Sequence, residues 1–174
     1  GVTPASTDGV VCTGAVGVDL GGGSIRWRFG TTGGVSPPAV VDDDVYVGSD
    51  DTDLYALAAN TGTLRWTIRT DGAIRATPAV GDDAVYVGTM AGTLYAVDRA
   101  DGSERWTFDV GGQVRSPALH DETVYVGNFS PTVTAVDADD GTERWQTEVD
   151  VGGGTGFVAL ELAATGESVY AGAN

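Results

Sequence analysis

Apolar residues in this chain come in short bursts separated by clusters of Asp, Gly, Thr and Pro. The bursts are rich in β-branched and aromatic side chains, as in Val45-Tyr46-Val47, Val85-Tyr86-Val87 and Val124-Tyr125-Val126, and each of these ends on a glycine. Segments of this length and composition, bounded by turn formers, predict β-strands. No window holds apolar residues at helical spacing without a glycine interrupting it, which excludes helix almost throughout.

The bursts recur with a fixed period. Trp27, Trp66, Trp106 and Trp145 are separated by 39, 40 and 39 residues, and a whole unit repeats around them. It opens on Thr3-Pro4-Ala5, Ser36-Pro37-Pro38-Ala39, Thr77-Pro78-Ala79 and Ser116-Pro117-Ala118, then passes through an acidic turn into the Val-Tyr-Val-Gly run. Leu54-Tyr55-Ala56, Leu94-Tyr95-Ala96 and Val133-Thr134-Ala135 follow, and an Arg-Trp pair closes each unit. Four short antiparallel strands per unit of about 40 residues, A to D with A innermost, predict the blades of a β-propeller. Proline suits the first residue of strand A, where a missing N–H costs nothing. The expected fold is all-β: one propeller domain over 1–174, about four and a half four-stranded blades of a partial ring. The blades are placed near 1–33, 34–74, 75–113 and 114–150, with a partial one over 151–174.

Finer spacing recurs inside each unit. A small residue, a glycine six later and a tryptophan ten later occur as Gly17, Gly23, Trp27; Ala56, Gly62, Trp66; Ala96, Gly102, Trp106; and Ala135, Gly141, Trp145. The small residue leaves room for an indole, the glycine supplies a positive-φ turn between strands C and D, and the indole is expected to fill the gap between neighbouring blades.

This spacing resembles the tryptophan-docking motif of the pyrroloquinoline-quinone (PQQ) enzyme repeat family, Ala-x-Asp-x-x-x-Gly-x-x-x-Trp. Asp19, Asp98 and Asp137 fall on its acidic position, while Ala58 departs from it. The resemblance implies a ring of seven or eight blades, the rest supplied by further sequence of a longer gene or by a second copy. It also implies two functional classes. Some members are similar to the lipoprotein of the outer-membrane β-barrel assembly machinery, a non-catalytic protein-binding scaffold outside the cytoplasm. Others are alcohol and sugar dehydrogenases that hold PQQ with calcium in the central channel, many with two adjacent cysteines against the quinone. Cys12 is the only cysteine here and no Glu/Asn/Asp constellation is recognisable, which favours the scaffold and leaves the dehydrogenase as the alternative.

One stretch breaks the pattern. Trp145 to Tyr170 spans 25 residues where the earlier Trp-to-Tyr intervals are 19, 20 and 19, and the extra length includes Gly152-Gly153-Gly154-Thr155-Gly156. Beyond it only Val169-Tyr170-Ala171-Gly172 reads as a strand, the B strand of a fifth blade.

Composition narrows the partners. Twenty-five acids against nine basic residues, all nine of them arginine, give a formal charge of −16 at pH 7. Such a surface repels phosphate backbones and anionic headgroups, which argues against nucleic acid or membrane-surface binding and leaves a protein partner. An acid excess without lysine resembles salt-adapted archaeal proteins and predicts a fold whose self-repulsion is relieved by salt.

Candidate chemistry is sparse. The glycine runs lack the lysine of a phosphate-binding loop, and the single histidine, His120, reads as a turn residue beside Asp121-Glu122. Cys12, within Val10-Val11-Cys12, reads as a small buried hydrophobe. Asp42-Asp43-Asp44, Asp82-Asp83 and Asp50-Asp51-Thr52-Asp53 lack the glycine and distal glutamate of a calcium loop and read as solvated turns. Arg26, Arg65, Arg105 and Arg144, each preceding a repeat tryptophan, point to the outer edge. Arg75 and Arg115 lie just before strand A, at three and two residues from their prolines and thus out of register, and are the candidates for a ligand-facing role.

Overall fold

The computed structural model describes residues 5–7, 10–12, 15–128, 132–149, 160–165 and 168–173. The first blade holds β1 (Ala5–Thr7), β2 (Val10–Cys12), β3 (Val16–Asp19) and β4 (Ile25–Arg28). The second holds β5 (Ala39–Val41), β6 (Asp44–Gly48), β7 (Asp53–Ala58) and β8 (Leu64–Arg69). The third holds β9 (Ala79–Val80), β10 (Ala84–Gly88), β11 (Thr93–Asp98) and β12 (Glu104–Asp109). The fourth holds β13 (Ala118–His120), β14 (Thr123–Gly127), β15 (Thr132–Asp137) and β16 (Glu143–Glu148). Each blade is a meander in which neighbouring strands pair antiparallel, and strands A of successive blades approach one another in turn, β1 to β5 to β9 to β13. The sheets therefore fan outward from strand A, and the described residues form a partial ring.

A fifth, two-stranded sheet follows: β17 (Leu160–Thr165) paired with β18 (Ser168–Ala173). The sequence pattern predicts only the second of these. Strand β17 lacks the opening Ser/Thr-Pro, yet it packs on β13 and β14 as an A strand does. The glycine-rich insertion, Thr3-Pro4 and the side chain of Cys12 lie outside the described residues.

Two rims follow from the meander. The D-to-A and B-to-C connections gather on one rim, and the A–B and C–D turns on the opposite rim. Short B strands carry the core: Val45, Tyr46, Val47, Val85 and Val87 are buried between sheets. Acidic residues sit in the A–B hairpins for a backbone reason, since Asp42 (φ 53°) and Asp121 (φ 49°) adopt the left-handed conformation that Asp tolerates better than most side chains.

Candidate functional site

The repeat motif is spread across two blades. Within a blade, each small residue lies directly opposite its tryptophan: Gly17 with Trp27, Ala56 with Trp66, Ala96 with Trp106 and Ala135 with Trp145. A bulge follows the small residue every time and locally increases the twist. The glycine, by contrast, receives the indole of the preceding blade. A Cβ on Gly62 would meet the Trp27 ring at 2.6 Å, one on Gly102 the Trp66 ring at 2.7 Å, and one on Gly141 the Trp106 ring at 2.7 Å. Gly23, Gly62, Gly102 and Gly141 all have φ between 68° and 78°.

Each docked indole also donates to the next blade: Trp27 Nε1 to Ala59 O (2.7 Å), Trp66 Nε1 to Arg99 O (3.0 Å) and Trp106 Nε1 to Ala138 O (3.0 Å). On its own blade the ring meets a tyrosine of strand B, at 5.8 Å between centroids for Tyr46–Trp66 and Tyr86–Trp106. Trp145 differs from the sequence expectation. It is 42% exposed although Tyr125 packs beside it at 5.9 Å. The C–D turn that covers the other three indoles has no counterpart after β16 among the described residues, because β17 and β18 are an A–B pair.

The acidic motif position holds the turn and the outer arginine together. Asp19, Asp98 and Asp137 accept Nη2 of Arg26, Arg105 and Arg144 at 2.7, 2.8 and 2.7 Å, and their second oxygens accept backbone N–H groups of the C–D turns. The arginine hydrogen bonds, followed by those backbone donors, hold all three carboxyls below the ordinary range. Where Ala58 replaces the acid, Arg65 turns instead to Asp44.

Three acids around the β6–β7 connection are similarly engaged. Asp50 pairs with Arg75 and Asp53 with Arg69, while Asp51 accepts from Thr32 N and the Tyr55 hydroxyl. Burial first, then these acceptors, push Tyr55 up to about 12. His120 lies 3.6 Å from Asp121 in its turn. Among the described residues no three His, Cys, Asp or Glu side chains gather in metal-binding geometry.

Arg75 and Arg115 are brought together. Both line a cleft of about 460 Å³ on the rim of D-to-A and B-to-C connections, with Ala76, Thr77, Met90, Gln113 and Ser116. They also prove structurally equivalent. Ile74 N donates to Ser49 O and Val114 N to Thr89 O, both at 3.0 Å, so each arginine directly follows an aliphatic side chain locked at the same place in successive blades. Ile74 is fully buried against Gly48, and Val114 is 3% exposed against Gly88; a Cβ on either glycine would approach within 2.4 Å of these side chains. Counting from the prolines misses this equivalence, because Ala76 adds one residue between the arginine and strand A. The opposite rim carries a cleft of similar volume, lined by Asp42, Asp44, Asp82, Asp83 and Asp98 around Arg99.

A family profile described as outer membrane protein assembly factor BamB matches residues 13–174. No curated protein sequence matches the chain. Among solved structures, BamB from Moraxella catarrhalis superposes with a TM-score of 0.77 at 23% identity, over 98% of this chain and 51% of that one. The computationally designed Ika8 protein superposes at 0.84 with 22% identity, over 99% of this chain and 55% of that one. The designed Ika4 protein gives 0.72 and 21%, over 77% of this chain and 88% of that one. The chain thus spans about half the length of the first two.

Proposed function

This chain belongs to the PQQ-repeat family described as outer membrane protein assembly factor BamB, and from that premise we propose that it is a non-catalytic protein-binding scaffold working outside the cytoplasm. The observation that carries the reading is the built rim: Ile74 and Val114 are clamped beneath it, so side chains from successive blades stand at fixed positions. Loops held on a rigid frame are where binding usually resides. Trp27, Trp66 and Trp106, the motif aspartates and the outer arginines, by contrast, are engaged in holding the blades. Further blades come from additional sequence or a second copy, in keeping with the half-length match to the larger propellers.

A photo-crosslinking residue at Gln113, on this rim, is compared in the full-length protein in its own cells with one at Glu104 on an outer strand. The scaffold reading expects a discrete protein adduct from position 113 and none from 104. Equal adducts from both positions, or none from either, would count against it. Saturable PQQ binding by the complete protein, with electron transfer from an alcohol or sugar, would replace it with the dehydrogenase reading.

A further inference from the structure

We infer that two copies of this chain complete one another, the face around Trp145 in each docking on the first blade of the other. The surfaces left open at the two ends of the arc match. Trp27, Trp66 and Trp106 are each covered by the C–D turn of the following blade, whereas Trp145 is 42% exposed. The open counterpart lies in the first blade. Gly23 has a φ of 68°, as the indole-bearing Gly62 does, yet a Cβ there would meet nothing within 4 Å. The carbonyls that accept the docked indoles belong to Ala59, Arg99 and Ala138, each three residues after the small motif residue. In the first blade that place falls to Leu20, which is 57% exposed where Ala59 is fully buried.

The strands carry the same complementarity. In the second to fourth blades a strand B tyrosine lies opposite the small residue of strand C and packs on the blade's own tryptophan. Tyr46 does so with Ala56 and Trp66, and Tyr86 with Ala96 and Trp106. The first blade has the tryptophan without the tyrosine, because β2 places Cys12 opposite Gly17. The fifth sheet has the tyrosine without a tryptophan: Tyr170 on β18 is 60% exposed, and β18 pairs with β17 alone among the described residues. Setting β18 of one copy beside β3 of the other brings Tyr170 opposite Gly17 and against Trp27. It also carries Trp145 onto the Gly23 turn, with Leu20 O as acceptor. The hairpin β17–β18, paired over six residues, thereby takes the place of β1–β2, paired over three. A strand added to a sheet edge gains main-chain hydrogen bonds, and pockets for its side chains fix the register. Each chain then contributes β3 to β18, which is four blades of strands, and reciprocal exchange between two copies closes a two-fold ring. Two such chains also match the length of the larger propellers, of which one chain spans 51% and 55%. The pairing holds whatever the rim binds, and so goes beyond the scaffold reading.

Sedimentation equilibrium of the chain in molar KCl tests the pairing. A reversible dimer is expected with no larger species, weakening as salt is withdrawn because each copy carries a charge of −16. Trp145→Ala and Leu20→Glu should each weaken association about tenfold or more. Leu64→Glu, on an outer strand and 43% exposed, should leave it unchanged. A mixture of the first two variants should regain a pair, since one junction then keeps both Trp145 and Leu20. A contact of Trp145 with its own counterpart would not be rescued in this way. The urea midpoint of Leu20→Glu under monomeric conditions should match that of the unsubstituted chain, which separates lost pairing from lost folding. Acrylamide should quench one accessible indole that becomes protected on association and is missing from Trp145→Ala. A monomer throughout in molar KCl, undiminished pairing in either variant, or no recovery on mixing would overturn the proposal. A full-length protein that is monomeric with Trp145 already protected would place the further blades in the same chain and overturn it as well.

Discussion

The indole of Trp66 lies on Gly102 of the following blade, so close that a Cβ there would meet the ring at 2.7 Å, while its Nε1 donates to Arg99 O at 3.0 Å. The same relationship joins Trp27 to Gly62 and Trp106 to Gly141. One side chain thus closes a sheet, fills the gap to the next and ties its backbone.

Removing that ring opens a cavity and orphans a carbonyl. Trp66→Ala and Trp106→Ala should each cost about 3–5 kcal/mol in urea unfolding. Trp66→Phe keeps most of the packing and should cost about 1 kcal/mol through the lost hydrogen bond, plus some packing. Trp145→Ala should cost clearly less, because that ring is 42% exposed. Gly102→Ala combines the clash with a φ of 78°, and should lower the midpoint far more than Gly30→Ala, where a Cβ meets nothing within 4 Å.

The second blade can be restored to the common pattern. In the third and fourth blades the motif acid takes both an outer arginine and a turn N–H. Ala58→Asp should give Arg65 and the Asn60 N–H the same acceptor and raise the melting temperature modestly, more at low salt than at high. A fall in melting temperature would contradict this use of the acidic position.

The pH response has two limbs. Asp19, Asp98 and Asp137 have depressed folded pKa values, caused chiefly by their arginines. Their contribution is present above the unfolded value near 3.8 and is lost as pH falls through the lowered folded values. The net charge of −16 acts oppositely nearer neutrality. At low salt, melting temperature should rise from pH 7 to about pH 5 as self-repulsion is relieved, then fall below about pH 4. Molar KCl should raise the neutral value and flatten the first limb. At the alkaline end, burial and the nearby aspartates raise Tyr55 to about 12, so its stabilisation holds below the unfolded value near 10 and is lost as pH rises through 12. Phenolate absorbance should accordingly lag that of the unfolded chain.

The blades are legible in the sequence because every unit repeats the same solution to the same packing problem. Tryptophan spacing, Val-Tyr-Val-Gly runs and positive-φ glycines are local signals, and the all-β propeller follows from them. What is not local is not legible. That a glycine serves the indole of the preceding blade requires knowing how sheets stack, and the exposed Trp145 depends on which turn follows it. Strand β17 escapes the pattern because it carries no Ser/Thr-Pro and is defined by its packing on β13 and β14. Arg75 and Arg115 can be singled out by their place before strand A. Their shared cleft cannot, since Ala76 shifts one of them against the proline ruler while Ile74 and Val114 keep the true register.

Rigid presentation of the arginine rim is the claim on which the functional account stands, and amide hydrogen exchange on the native chain reads it directly. Ile74 N and Val114 N, bonded to Ser49 O and Thr89 O, should exchange as slowly as the strand amides of Val85 and Val97. Exchange of those two amides at the rate of the open connection around Gly30 would show a loose rim and contradict the account.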